Sequence, residues 1–472
     1  MVNHYHFQPR RTSTVNKNLL STVKQRWLLP FISIVLLWPA LSLSNALPDH
    51  VISRFGEPPE FPSGALDATL QKSVDIALVN SVTSAGWGRD QEIALTEIAD
   101  SNDPRIAWPI TDLMRFVSDP QLSAELAGAA AKLLGINLSN GNQWGVITDH
   151  LIAWKVPAPP EYLRVKRAIF TSIVPGWDKL FIEGDIDWRH VSWGGVRIDD
   201  RPYDTTDDIC NCIPAADNPS VDNVADASWL KDDDTIFGIV INGEARAYPR
   251  RIMEVREMVN DTLGGRDLGI PYCTLCGAAQ AYFTDKLPAG VDRPVLRTSG
   301  LLIRSNKVMY DITSHSVFDT FFGKAVTGPL AEKNIQLEAA TVITTTWGKW
   351  KEAYPKTTVL KESLALGRDF DFRNNRDADG PIFPVGDVDP RFPVHEDMVG
   401  AITASGKPIA FQQSKAMAAL IKGEQVEAGN LRLALDGGGI KVMNKQGEPV
   451  SSHQAFWFAW SQFHPGTDVW PN

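Results

Sequence analysis

The chain has 472 residues, 43% of them hydrophobic and 22% charged, with a formal net charge of -10. Such a length exceeds what one hydrophobic core serves, so two or three domains are expected, and the composition is that of a globular protein rather than a disordered one. The acidic balance excludes broad nucleic-acid binding, which needs a basic face to displace phosphate counterions.

Residues 1–46 contain no Asp or Glu but carry Arg10, Arg11, Lys17, Lys24 and Arg26 ahead of the apolar run "WLLPFISIVLLWPALSL". Ser44-Asn45-Ala46 then supplies a small-x-small cleavage pattern. Basic, apolar, small is the order of a secretory signal, so a periplasmic or secreted protein is expected. Pro30 and Pro39 interrupt a run already short for a bilayer, and a membrane becomes a partner only if the leader stays uncleaved. Export makes the four cysteines informative: Cys210, Cys212, Cys273 and Cys276. Outside the cytosol an even set is usually oxidised, and four cysteines allow three pairings.

Residues 47–64 are Pro- and Gly-rich and read as a tether. From 65 to 184 the apolar spacing is helical. Asp103-Pro104 and Asp119-Pro120 each offer an N-cap followed by Pro at the first helical position. Ile106, Ile110 and Leu113 form one stripe; Leu122, Leu126, Ala130 and Leu133 form the next. Two short helices opened by Asp-Pro resemble a HEAT pair, and an irregular bundle is the alternative. Such a domain offers surface to a protein partner. Residues 185–234 are acidic and loop-rich, an expected connection folded over the following domain.

At Thr235 the period switches to two. "TIFGIVINGEARAYP" reads as a hairpin around Asn242-Gly243, and "RIMEVREMVND" as a helix that places Glu257 and Asp261 on one face. Strands follow, then the aromatic helix of "TTTWGKWKEAYP". This order recurs. "TTWGKWKEAYPKTTVL" aligns without gaps on "AFWFAWSQFHPGTDVW", pairing Trp347 with Trp457, Trp350 with Trp460 and Thr357 with Thr467, each 110 residues apart. Upstream, "GIVINGEARAY" echoes "GAITASGKPIAF". The fold class is therefore α+β: an N-terminal all-α domain, then a β-rich domain of two unequal repeats, 235–398 and 399–472. Only the first repeat carries "PYCTLCGAA" and "LRTSGLLIRSNKVMYD", so chemistry is expected there.

From Ile209 to Asn472 the motifs "INGEARAYP", "EMVNDTLGG", "YCTLCGAA", "SGLLIRSNKVMYD" and "FWFAWSQFHPGTDVW" resemble the domain-of-unknown-function 3179 family of mostly exported microbial proteins. The resemblance implies no reaction. It also exposes departures: Arg256 stands where the family usually has His, and Ile303-Arg304 where an aromatic-Asn pair is usual. Cys210-x-Cys212 lies outside the family pattern.

Cys273-x-x-Cys276-Gly277 is the sharpest chemical signal. The family's more usual Cys-Pro-x-Cys-Gly looks like a zinc knuckle, which implies a Cu or Zn site with Cys273 and Cys276 as first ligands. Such a turn supplies two ligands. Either Cys210 and Cys212, or His464 with Glu257, would complete it, with Asp261 four residues beyond Glu257. Alternatively the pair is a thiol–disulfide couple or sensor, its thiolate stabilised by Arg256 or Arg304, or a structural disulfide. A non-catalytic scaffold is the third reading. His464 aligns with Tyr354, so a packing ring explains it equally well. Ser299-Gly300 lacks the flanks of a nucleophile elbow, and "NRDADGP" lacks the distal Glu of a calcium loop. No phosphate-cradling loop, dinucleotide fingerprint or His-Glu-x-x-His occurs. No reaction is assigned, and whether the chain is an enzyme stays open.

Overall fold

The computed structural model describes residues 47–84, 86–139, 141–205, 210–362 and 380–471. The expected leader lies outside them, as does most of the "NRDADGP" loop. Helices fill the N-terminal part, and five sheets fill the rest.

The Asp-Pro signals act as caps. Asp103 accepts from the Arg105 N–H, and Asp119 accepts from the Leu122 N–H at the head of a helix over Pro120–Leu134. That helix ends at Gly135 with φ 67°, a left-handed cap that glycine adopts without strain. Ile106, Ile110, Leu126 and Ala130 are fully buried. The core they form continues into the first sheet through Val191, Leu301, Val308 and Val317. Lys166 bridges the two layers: its Nζ donates to Asp112 Oδ1 at 2.5 Å and to Val191 O at 2.6 Å. The expected tether needs correcting. Asp49–Phe55 is helical, and Val51 and Phe55 are buried in the same core, because three apolar side chains in that stretch suffice for one buried face.

Within 185–234, short strands join three sheets. Val191–Trp193 pairs with Leu301–Ile303, Ala216–Asp217 with Val259–Asn260, and Val221–Asn223 with Thr358–Leu360.

Two sheets share one plan. In the Trp350 sheet the order is Ile343–Thr346, Thr235–Ile241, Glu244–Pro249 and Thr358–Leu360, with Val221–Asn223 added at the edge. In the Trp460 sheet it is Ser452–Phe456, Asp397–Ile402, Pro408–Gln412 and Asp468–Trp470. Both have an antiparallel central hairpin, an antiparallel neighbour on one side and a parallel strand on the other. A helix follows each hairpin, Arg250–Arg256 and Gln413–Ile421, and each sheet ends in a Trp-bearing helix, Trp347–Ala353 and Trp457–Phe463. Trp350 lies on Gly238 and Trp460 on Gly400 so closely that a Cβ on either glycine would overlap the indole. Each indole N–H donates to the threonine seven residues on: Trp350 to Thr357 at 2.9 Å, Trp460 to Thr467 at 3.0 Å.

The helix expected over "RIMEVREMVND" stops at Arg256. Glu257 has φ 50° and reverses the chain, after which Met258–Leu263 is a strand paired antiparallel with Arg266–Cys273. Glu257 and Asp261 therefore do not share a helix face. Backbone pairing to two neighbouring strands outweighs a helical spacing in six residues.

Candidate functional site

The strand Arg266–Cys273 runs into a tight turn, Cys273-Thr274-Leu275-Cys276, and returns as Ala278–Ala279. Cys276 N–H donates to Cys273 O at 3.2 Å. Gly277, at φ 60°, lets the chain leave against the Phe456 ring, where a Cβ would come within 2.9 Å. The geometry holds both cysteines as free, buried thiols, with Cys273 4% and Cys276 0% exposed.

A second turn faces them. Between the strands Leu296–Ile303 and Asn306–Asp311, Arg304 and Ser305 both have positive φ, 45° and 73°. The Ser305 carbonyl lies 3.5 Å from the Sγ atoms of both Cys273 and Cys276. With Glu257, three non-glycine residues around the thiols occupy the left-handed region, a strain that proteins concentrate at functional sites. The side chains of Ser305 and Asn306 are buried, and Ser305 Oγ and Asn306 Oδ1 find no hydrogen-bond partner.

Lys307, next along that strand, ion-pairs with Glu257 in the interior. Thr274, between the two cysteines, donates its hydroxyl to Glu257 Oε1 at 3.0 Å. Burial pushes the Lys307 ammonium well below its usual range. The thiols diverge. Burial raises Cys273, but the Cys276 thiol and the backbone N–H groups of Lys307, Cys276 and Leu275 donate to its sulfur and bring it below its usual value. Cys276 is held well above its own, by burial and by its neighbour's charge. One sulfur is thus favoured as thiolate and the other as its proton donor. Beside the turn lies a cavity of about 280 Å³, with Glu257, Thr274 and Lys307 among apolar walls that include Leu275, Leu301 and Phe383.

The other expected residues lie elsewhere. Cys210 and Cys212 are joined to each other as a disulfide. His464 caps the Trp457–Phe463 helix and packs its ring 4.2 Å from Trp460, lining a different cavity. Asp261 is tied to Arg246 Nη1 at 2.6 Å and to the Tyr248 hydroxyl at 2.7 Å. Arg256 donates to Glu362 at 2.6 Å. Arg304 reaches His190 Nε2 at 3.4 Å and lines a third cavity with Lys155 and Asp387. Among the described residues no group of three or more His, Cys, Asp or Glu side chains is placed to hold a metal ion. Sequence reasoning brought Glu257 to the cysteine turn but missed Thr274, Ser305 and Lys307. A lysine directly ahead of the apolar Val308-Met309 in "NKVMY" was the available signal for the last.

A family model described as "Protein of unknown function (DUF3179)" matches residues 210–447. No curated protein and no solved structure matches the chain.

Proposed function

The chain belongs to the DUF3179 family, and on that premise, which supplies no reaction, we propose that Cys273 and Cys276 form a redox-responsive dithiol. The observation that carries this reading is the shared Ser305 carbonyl: two free thiols stand 3.5 Å from one oxygen at opposite ends of a four-residue turn. Sulfurs held so near a common point can close on each other with little backbone movement.

The step balances with a small external disulfide as oxidant. The Cys273 thiolate attacks one sulfur of that disulfide, forming a mixed disulfide and expelling a thiolate. Cys276 passes its proton to the first expelled thiolate and attacks Cys273 Sγ, closing the internal bond and expelling the second thiolate. Two electrons pass from the protein to the oxidant. Burial of both sulfurs suits a sensor of small oxidants better than an enzyme acting on folded partners. Closing the bond would remove the Cys276 S–H beside Ser305 O and disturb the Arg304–Ser305 turn.

A two-thiolate Cu(I) site is the second reading, favoured by the apolar shell that Phe321, Phe456 and Trp457 make around the sulfurs. A four-ligand Zn site has less support, since neither His464 nor the Cys210–Cys212 pair reaches the turn.

Native and denaturing mass spectrometry of the Cys210→Ser/Cys212→Ser chain separates these readings. In glutathione buffers of graded ratio, the redox reading expects loss of two hydrogens, with a midpoint between about -120 and -270 mV. A midpoint below about -300 mV would leave a structural bond. Stoichiometric copper on the reduced chain, lost in Cys276→Ser, would favour the metal.

A further inference from the structure

The Trp350 and Trp460 sheets diverge at two matched positions. In the first, Ile343 stands opposite Gly238, and Tyr354 follows the Trp helix. There the hairpin of Leu431–Asp436 and Gly439–Asn444 closes over the sheet. A Cβ on Gly437 would lie 2.5 Å from the Trp350 ring, one on Gly439 would overlap Ile343, and the Tyr354 hydroxyl donates to Asp436. In the second sheet the residue opposite Gly400 is His453, and the residue after the Trp helix is His464. These two face a cavity of about 300 Å³.

Its lining is uncharged and mostly aromatic and aliphatic: Tyr282, Phe322, Ile402, His453 and His464 are among its walls with the polar Gln280, and no Asp, Glu, Lys or Arg contributes. Burial keeps both imidazoles neutral, lowering His453 to about 3 and His464 to about 4. Ser452 Oγ and His453 Nε2 are buried with no hydrogen-bond partner. His453 shares the Gly400 face of the sheet with Trp460, while Ser452, the next residue of the strand, turns to the other face. An unmet imidazole nitrogen on the cavity wall calls for a ligand or water, since it costs about 1–3 kcal/mol while unmet. The mouth is marked by Phe322 and Ile402, which are 37% and 39% exposed.

We propose that this cavity binds a small uncharged molecule with an apolar body and one hydroxyl group, which pairs with His453 Nε2. An ion entering would lose its hydration with no counter-charge to replace it. A purely apolar guest would leave the imidazole nitrogen unmet. The volume lies at the small end of ligand pockets, matching a single-ring molecule. This inference is independent of the dithiol, since Cys273 and Cys276 do not line the cavity.

Ligand-observed NMR titration of the full chain tests it, with p-cresol as probe, toluene as the probe without a polar group and p-toluate as the charged one. Saturable p-cresol binding is expected, with toluene and p-toluate each at least about tenfold weaker. His453→Ile installs the apolar residue that the other sheet carries at the matched position, and p-cresol should weaken about threefold to tenfold while toluene is not weakened. Ile402→Trp at the exposed mouth should abolish p-cresol binding. Absence of saturable p-cresol binding, unchanged binding in Ile402→Trp, or p-toluate binding as tightly as p-cresol would each overturn the proposal.

Discussion

Thr274 donates its hydroxyl to Glu257 Oε1 across 3.0 Å, which ties the loop between the two free thiols to the buried Glu257–Lys307 pair. Glu257→Gln would leave Lys307 without a counter-charge in an interior that already disfavours its ammonium. Its folded pKa, already depressed by burial, would fall further, so the unfolded state would bind a proton that the folded state refuses more strongly. The penalty grows as pH falls from the unfolded lysine value. It should be largest near and below neutrality and shrink towards about pH 10. Adding Lys307→Met should remove the pH dependence. Urea denaturation of the wild type, the single variants and the double variant at two pH values checks this, and a penalty that does not change with pH would contradict it.

The asymmetry of the thiols gives a second expectation. Ultraviolet titration of the reduced Cys210→Ser/Cys212→Ser chain should show one thiolate forming below the usual thiol range and the other well above it. In Cys276→Ala the surviving Cys273 loses the S–H that donates to it, so its midpoint should rise. A midpoint that stays in place would mean that Cys276 does not donate to Cys273, and the distinct roles of the two sulfurs would fall with it.

What the sequence disclosed followed the range of each interaction. The 110-residue offset linking Trp347 to Trp457 and Trp350 to Trp460 picks out residues in matching places of two sheets, because a large ring over a strand glycine leaves a fixed local signature. Asn242-Gly243 was equally readable: both residues have positive φ, 50° and 83°, as a tight hairpin requires. The end of the Arg250–Arg256 helix was not, since the reversal falls on Glu257, a residue with no preference for that backbone. Nor could local spacing show that Lys307 meets Glu257, or that His464 joins His453 rather than the cysteines. Those pairings arise where separate sheets pack. Four cysteines allowed three pairings, and only the geometry joined Cys210 to Cys212.

Gly238→Ala and Gly400→Ala probe the packing of the two indoles. In each a Cβ would overlap the ring above it, so both should destabilise, by about 1–3 kcal/mol. The costs should differ. Trp350 is pinned on its far side by Gly437, whereas Trp460 borders the cavity and has room to shift. Gly238→Ala should therefore cost more. Gly406→Ala, in open space at φ 80°, serves as a control for backbone strain alone, at about 1 kcal/mol. Chemical denaturation ranks the three, and a larger loss for Gly400→Ala would show that the cavity gives the ring no freedom.

His453 makes stability depend on acidity in a direction that burial dictates. The unfolded imidazole takes a proton near about pH 6.5, whereas burial holds the folded one to about 3. Below the unfolded value, protons favour the unfolded chain, so stability falls with pH through this window. The loss from this one group should be about 2 kcal/mol by about pH 5. Buried Asp319, raised to about 6, acts in the opposite sense, and His190 and His464 act in the same sense as His453; a variant that keeps all three isolates His453. His453→Ile installs the residue found at the matched position of the other sheet and removes the titrating group. Between about pH 7 and pH 5 that variant should lose about 2 kcal/mol less than the wild type in guanidinium denaturation. Parallel losses would mean that the folded imidazole already takes up its proton in this range, and the uncharged cavity wall would have to be abandoned.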